Sequence, residues 1–97
     1  MNDLEALRRV IREQHGCESR HLRSIPIIEM FAGVIVFDGP VEMFELIGHP
    51  AARRCYAFQL DYDGHRSRSF ALLELPPIES ALKAVQVAVA EGSHKLY

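Results

Sequence analysis

The chain has 97 residues, of which 48% are hydrophobic and 25% charged, and its formal net charge is −2. This length suits a single domain spanning residues 1–97, and the composition excludes an intrinsically disordered chain. The charge excludes the strongly basic footprint that is usual for a nucleic-acid-binding domain.

The first predicted element is a helix over residues 3–15. Asn2 or Asp3 can accept hydrogen bonds from the free N–H groups of its first turn, and Gly16 can adopt the left-handed conformation that ends it. Apolar side chains recur at helical spacing and form one stripe: Leu4, Leu7, Val10 and Ile11.

Strand signals then extend over residues 22–75. Pro26 lacks the N–H of a central strand, so the first strand is predicted at a sheet edge. Ala32-Gly33 offers a turn into the next strand, where Asp38-Gly39-Pro40 is either a turn or a bulge. Gly48-His49-Pro50 interrupts the chain again.

The strand predicted over residues 53–62 alternates most clearly. Tyr56, Phe58 and Leu60 point to one side, and Cys55 and Ala57 point to the other. Asp63-Gly64 predicts a hairpin turn into an antiparallel strand over residues 67–75, which Pro76-Pro77 ends.

Residues 78–91 are predicted to form a second helix. Ile78, Leu82, Val85 and Val89 are spaced for one buried face, with alanines beside them. Val85 and Val89 also alternate with Val87, so a strand is possible locally. The preceding prolines and the many alanines favour the helix.

The predicted fold is therefore a single α+β domain of order α-β-β-β(-β)-α. Three to five antiparallel strands form its sheet, and both terminal helices are predicted to pack on one face. The other face is then wet or covered by a partner. The predicted core consists of Leu4, Leu7, Val10, Ile11, Ile27, Phe44, Tyr56, Phe58, Leu60, Leu72, Leu82, Val85 and Val89.

The two cysteines do not indicate a disulfide scaffold or a metal centre. His15, Cys17 and His21, with Cys55 as a fourth ligand, offer zinc-type donors, but their spacing matches no standard motif. Asp3, Glu5, Arg8 and Arg9 occupy the N-terminus, where a signal peptide would need an apolar run, and no apolar window has the length of a membrane span. We predict a cytoplasmic protein with free thiols, without a metal or cofactor and without membrane association.

The loop around His49 is the best candidate for a site. A catalytic interpretation makes His49 a general base oriented by Glu42 or Glu45. A histidine between glycine and proline is more typical of a rigid turn, and no nucleophile motif is present, so we predict no catalytic residue. Glu45 is expected opposite Arg54 across the strands. The residues predicted to bind a ligand or partner are His49, Arg53, Arg54 and Tyr56.

The high proportion of arginine favours nucleic-acid binding as an alternative function. Nine of the eleven basic residues are arginine, whose planar guanidinium pairs well with phosphate. If they share one face, the residues that would carry this binding are Arg8, Arg9, Arg12, Arg20 and Arg23. Four acidic residues between Asp3 and Glu18 nearly cancel their charge, so an RNA partner is not favoured.

Two resemblances accompany these predictions. The order α-β-β-β-α is similar to the double-stranded-RNA-binding fold, and that resemblance implies RNA contacts from residues 77–83, which contain one lysine and one glutamate. The run from Val41 through Gly48-His49-Pro50 to Cys55-Tyr56-Ala57-Phe58, followed by Leu75-Pro76-Pro77, resembles a family of small uncharacterised bacterial proteins. This second resemblance implies a bacterial cytoplasmic domain and assigns no catalytic residues.

The apolar side chains of the central strands carry the functional prediction. Alternate residues of a strand point to opposite sides of the sheet, and here both sides are apolar. Ile35 and Phe37 are expected on one side, and Val34 and Val36 on the other. In the same way Val41 and Met43 are expected on one side, and Phe44 and Leu46 on the other. Helices on one face would leave an apolar patch larger than a soluble monomer exposes. We therefore predict a protein-interaction module that self-associates through its open sheet face, unless a bulge at Asp38-Gly39 reverses the parity.

Overall fold

The computed structural model describes residues 3–62 and 66–94. Its elements are α1 (Asp3–His15), β1 (Glu18–Phe31), β2 (Val34–Ile47), β3 (Arg54–Tyr62), β4 (Arg66–Leu73) and α2 (Ala81–His94). The four strands form one antiparallel sheet in the order β1-β2-β3-β4. The predicted α+β class, with a helix at each end of an antiparallel sheet, is confirmed.

Helix α1 occupies the range predicted from its apolar stripe. It ends where Gly16 takes a φ of 69°, and the Gly16 N–H donates to the Arg12 carbonyl at 2.9 Å. Leu7 and Ile11 are buried against β2, β3 and β4 side chains that include Phe44, Cys55 and Ala71. The predicted cap at Asn2 lies outside the described residues.

The two helices pack on opposite faces of the sheet, so the prediction that both cover one face is wrong. Successive strand residues point to opposite faces, and each face has its own core. On one side α1 covers Phe44, Leu46, Cys55, Ala57 and Ala71. On the other side α2 covers Phe37, Val41, Met43, Tyr56, Phe58, Leu60 and Phe70. Both parities of the central strands are apolar because each faces a helix.

β1 and β2 form a hairpin of two 14-residue strands. Its turn is Ala32-Gly33, and φ values of 53° and 79° give the left-handed pair that matches strand twist. Asp38-Gly39-Pro40 is neither a turn nor a bulge, since Asp38, Gly39 and Pro40 pair in unbroken register with Ile28, Ile27 and Pro26. The register instead shifts at Leu22 and at Val36, which have no partner in the ladder.

Only the inner parts of β2 and β3 pair with each other. Residues 42–45 of β2 pair with residues 54–57 of β3, whereas β3 continues along β4 through Phe58↔Phe70 and Leu60↔Arg68. The outer half of the β1–β2 hairpin therefore has no third strand beside it within the described ladder. The Asp63-Gly64 turn lies outside the described residues.

Helix α2 begins three residues later than predicted, and its buried face differs. Ser80 caps it by accepting a hydrogen bond from the Lys83 N–H at 3.1 Å, while Ile78 precedes the helix and packs against its core. The face toward the sheet consists of small residues: Ala81, Ala84, Val85 and Ala88. Leu82 is 41% exposed, so its predicted place in the core is wrong, as is the local strand alternative.

Candidate functional site

His49 shapes the turn between β2 and β3. Its Nδ1 accepts hydrogen bonds from the N–H groups of Ala51 (3.1 Å) and Ala52 (3.0 Å), following a left-handed Gly48. The ring also meets His15 edge-on, with centroids 6.2 Å apart. Because the Nδ1 lone pair is occupied by two backbone donors, that nitrogen is not free to accept a proton from a substrate in this conformation.

The two carboxylates considered as partners of His49 are engaged elsewhere. Glu42 is buried, and its Oε1 accepts hydrogen bonds from His21 Nε2 at 2.8 Å and from the Ser24 hydroxyl. Glu45 accepts a hydrogen bond from Arg20 at 2.6 Å. These contacts join β1 to β2 and give neither carboxylate a hydrogen bond to His49 within the described residues.

Arg54 and Tyr56 share the carboxylate of Glu74, which directly follows β4. Arg54 Nε donates to Glu74 Oε1 at 2.9 Å, and the Tyr56 hydroxyl donates to Oε2. Burial, and then the bonded and negatively charged carboxylate, raise the pKa of Tyr56 to about 12. The predicted register of Glu45 opposite Arg54 is confirmed, but their side chains pair with other residues.

Glu74 is the member of this cluster that sequence reasoning missed. Arg54 and Tyr56 are two residues apart on a strand and so point to the same side, where a buried phenol needs an acceptor. An acidic residue near the end of the next predicted strand was the available signal. Arg53, the remaining predicted binding residue, is exposed and forms no ion pair among the described residues.

The predicted binding residues therefore do not converge on one site. His49 is held in a turn beside His15, whereas Arg54 and Tyr56 both donate hydrogen bonds to Glu74, where β3 begins and β4 ends on the α2 side of the sheet. Each arrangement satisfies polar groups that the fold partly buries, which is a structural role.

The thiols and histidines weighed as zinc ligands also have separate environments. His15 Nε2 donates to the Ala71 carbonyl at 2.7 Å, and His21 contacts Glu42. Burial raises the pKa of Cys17, and raises that of Cys55 to about 12. Across residues 3–62 and 66–94, no group of three His, Cys, Asp or Glu side chains is arranged to hold a metal ion.

The arginines near the N-terminus are mostly paired with acids. Arg8 pairs with Glu5 at 2.9 Å and Arg12 with Glu18 at 2.8 Å, while Arg20 pairs with Glu45 as described above. Arg23 is exposed on β1. The pairing divides the basic cluster into local contacts and leaves little uniform positive surface for a phosphate backbone.

The most exposed apolar surface lies at the outer end of the β1–β2 hairpin. Five large side chains on either side of its turn are each between 55% and 63% exposed, and we call them the hairpin patch: Ile28, Met30, Phe31, Val34 and Ile35. Glu29 and Asp38 are the charged residues beside it, and no Lys or Arg occurs between residues 24 and 52.

Comparison of the chain with protein-family models, with curated proteins and with solved structures finds no match. The two resemblances noted from the sequence stay predictions. None of the helices in the described part of the chain is both long enough and apolar enough to cross a membrane.

Proposed function

We propose that this protein is a bacterial, cytoplasmic protein-interaction module that associates with itself through the hairpin patch. One observation carries the proposal: five large apolar side chains, each more than half exposed, lie within eight consecutive residues at the end of a long hairpin. The resemblance to small bacterial proteins and the two free thiols support the bacterial cytoplasm as its location.

The area of the patch supports an interaction surface. Five side chains that each expose roughly 100 Å² amount to on the order of 500 Å², which is near the upper end for the largest apolar patch of a soluble monomer. Moving each side chain from water into a contact contributes on the order of 1 kcal/mol. Such a patch is costly to leave in water when a partner can cover it.

The location of the patch differs from the open sheet face expected from the sequence. Helices cover both faces at the centre of the sheet, and the large apolar side chains that stay exposed together among the described residues lie on the outer half of the β1–β2 hairpin. Val34 and Ile35, which contributed to the prediction from sequence, belong to this half. The interacting surface is thus smaller than a full sheet face.

The charges beside the patch favour a protein over a polyanion as the partner. Glu29 and Asp38 flank the patch and no basic residue lies on the hairpin beyond Arg23, so phosphate groups would be repelled. An apolar surface with few charges is typical of contacts between identical subunits.

Light scattering over a wide concentration range tests the proposal. We expect the mass to rise from one chain toward two, and Ile35→Ser to shift this transition to higher concentration. Leu82→Ser is the matched control, because Leu82 is an exposed leucine on α2, outside the patch. A chain that stays monomeric at every concentration, or a Leu82→Ser effect as large as that of Ile35→Ser, would contradict the proposal.

A further inference from the structure

Two prolines lie opposite each other in the β1–β2 ladder. Pro26 of β1 pairs with Pro40 of β2, and neither has an N–H to donate. Such a pair suits the ladder position at which the backbone groups of both residues point away from the partner strand. Both edges of the hairpin therefore lack a donor at the same level, which opposes the addition of another strand to either edge.

The side chains of the outer hairpin divide between two sides. Phe37 is buried on the α2 side, and the register shift at Val36 places Ile35 on the α1 side. Ile35 pairs with Met30, and Ile28 shares the side of Met30 by strand alternation. By the same alternation, the adjacent pair Phe31 and Val34 faces the α2 side.

The α1 side of this half is the larger uncovered surface. It carries Ile28, Met30 and Ile35, with Pro26, Pro40 and Asp38 around them, and all six residues are exposed. Asp38 is the one charged residue among them. Helix α1 covers the inner part of the same sheet face, and the hydrogen-bonded His21, Ser24 and Glu42 lie between that core and the exposed surface.

We infer that two copies of this chain pack face to face through the α1 side of the outer hairpin, rather than by joining strand edges. The inference rests on the proposed self-association and specifies its geometry. In each copy Ile28, Met30 and Ile35 contribute roughly 300 Å², and the three exposed residues around them add roughly 100–200 Å². The dimer therefore buries roughly 800–1,000 Å², at the small end of specific interfaces. A contact of this size forms a dimer that dissociates on dilution.

A second copy fits this surface because a two-fold contact brings the same patch from both sides. With the axis at the Met30–Ile35 pair and the strands antiparallel, each Asp38 lies about 10 Å from the axis along its strand. The two carboxylates are then roughly 20 Å apart, beyond the Debye length at physiological salt. The surface is therefore self-complementary without a neutralising partner charge.

Two neighbouring residues provide the decisive comparison. Val34 and Ile35 are similarly exposed β-branched residues on opposite sides of the hairpin, and Val34→Thr and Ile35→Thr both preserve branching and strand propensity. We expect Ile35→Thr to raise the dimer dissociation constant at least about tenfold, because the change occurs twice across a two-fold contact. Val34→Thr should change it by less than about twofold.

The double variant Pro26→Ala with Pro40→Ala separates face packing from strand addition. It restores one N–H to each hairpin edge, so strand addition would become tighter by about tenfold or more, whereas face packing should become weaker, because both prolines border the contact surface. Amide chemical shifts of each variant at low concentration verify that the hairpin is folded.

The results distinguish a failure of the face-packing geometry from a failure of self-association itself. If Val34→Thr weakens association as much as Ile35→Thr, or if the proline variant tightens it, face packing on the α1 side is overturned while self-association stands. If the unaltered chain never dimerises, the proposed function itself fails.

Discussion

Ile35 and Phe37 are two residues apart on β2, yet Ile35 is 55% exposed and Phe37 only 7%. In a regular strand such residues face the same side, but the unpaired Val36 reverses the alternation between them. Phe37 consequently packs edge-on against Phe58, with ring centroids 5.5 Å apart, while Ile35 joins the hairpin patch.

This relationship predicts that truncating Phe37 lowers stability far more than truncating Ile35. Phe37→Ala should lower the free energy of unfolding by about 3–5 kcal/mol, because it empties part of the α2-side core. Ile35→Ala should change it by at most about 1 kcal/mol, because more than half of the side chain is already exposed and the loss is mainly one of strand propensity. Urea unfolding at a concentration where the chain is monomeric measures both. Equal losses would show that Ile35 belongs to the core.

The bond from Tyr56 to Glu74 predicts a loss of stability in alkali. The folded state raises the Tyr56 pKa from its ordinary value of 10.0 to about 12, so the folded chain holds this proton more tightly than the unfolded chain. The stabilisation is complete below pH 10 and declines as the pH rises toward 12. The free energy of unfolding, measured in urea at a series of pH values from 9 to 12, should show this decline.

Tyr56→Phe is the control for that prediction, since it keeps the buried ring and removes the ionisable hydroxyl. The variant should be less stable near neutral pH, because Glu74 loses a donor, and its stability should fall less between pH 10 and 12. Phenolate absorbance provides a direct measurement, with the chain's two other tyrosines as internal references. Titration of all three tyrosines together near pH 10 would refute the assignment.

The His49 turn predicts a substitution pattern that only an acceptor role explains. His49→Ala should lower the free energy of unfolding by about 1 kcal/mol, comparable to the loss of a helix cap, because the N–H of the buried Ala52 loses its acceptor. His49→Asn should retain much of the stability, since an asparagine oxygen can accept from the backbone two or three residues onward. Denaturant unfolding of both variants measures the difference. An Asn variant as unstable as the Ala variant would exclude this role.

The local pattern of the sequence determined the elements that depend on neighbouring residues. The apolar stripe and Gly16 predicted α1 with its observed bounds, and Ala32-Gly33 predicted the hairpin turn. The alternation of Tyr56, Phe58 and Leu60 with Cys55 and Ala57 predicted the two sides of β3. These features follow from backbone periodicity and turn geometry within a few residues, which a sequence displays directly.

Only the tertiary structure decided what each apolar face meets. The apolar residues on one side of β2 fit a helix or a second subunit equally well. The free energy gained on burial depends on the apolar area removed from water and not on which element covers it. Contacts between distant segments determine three features: the sheet face on which α2 packs, the register shift at Val36, and the hydrogen bonds from Arg54 and Tyr56 to Glu74. Hydrophobic periodicity shows that a face is buried, and the packing of the whole chain determines which element buries it.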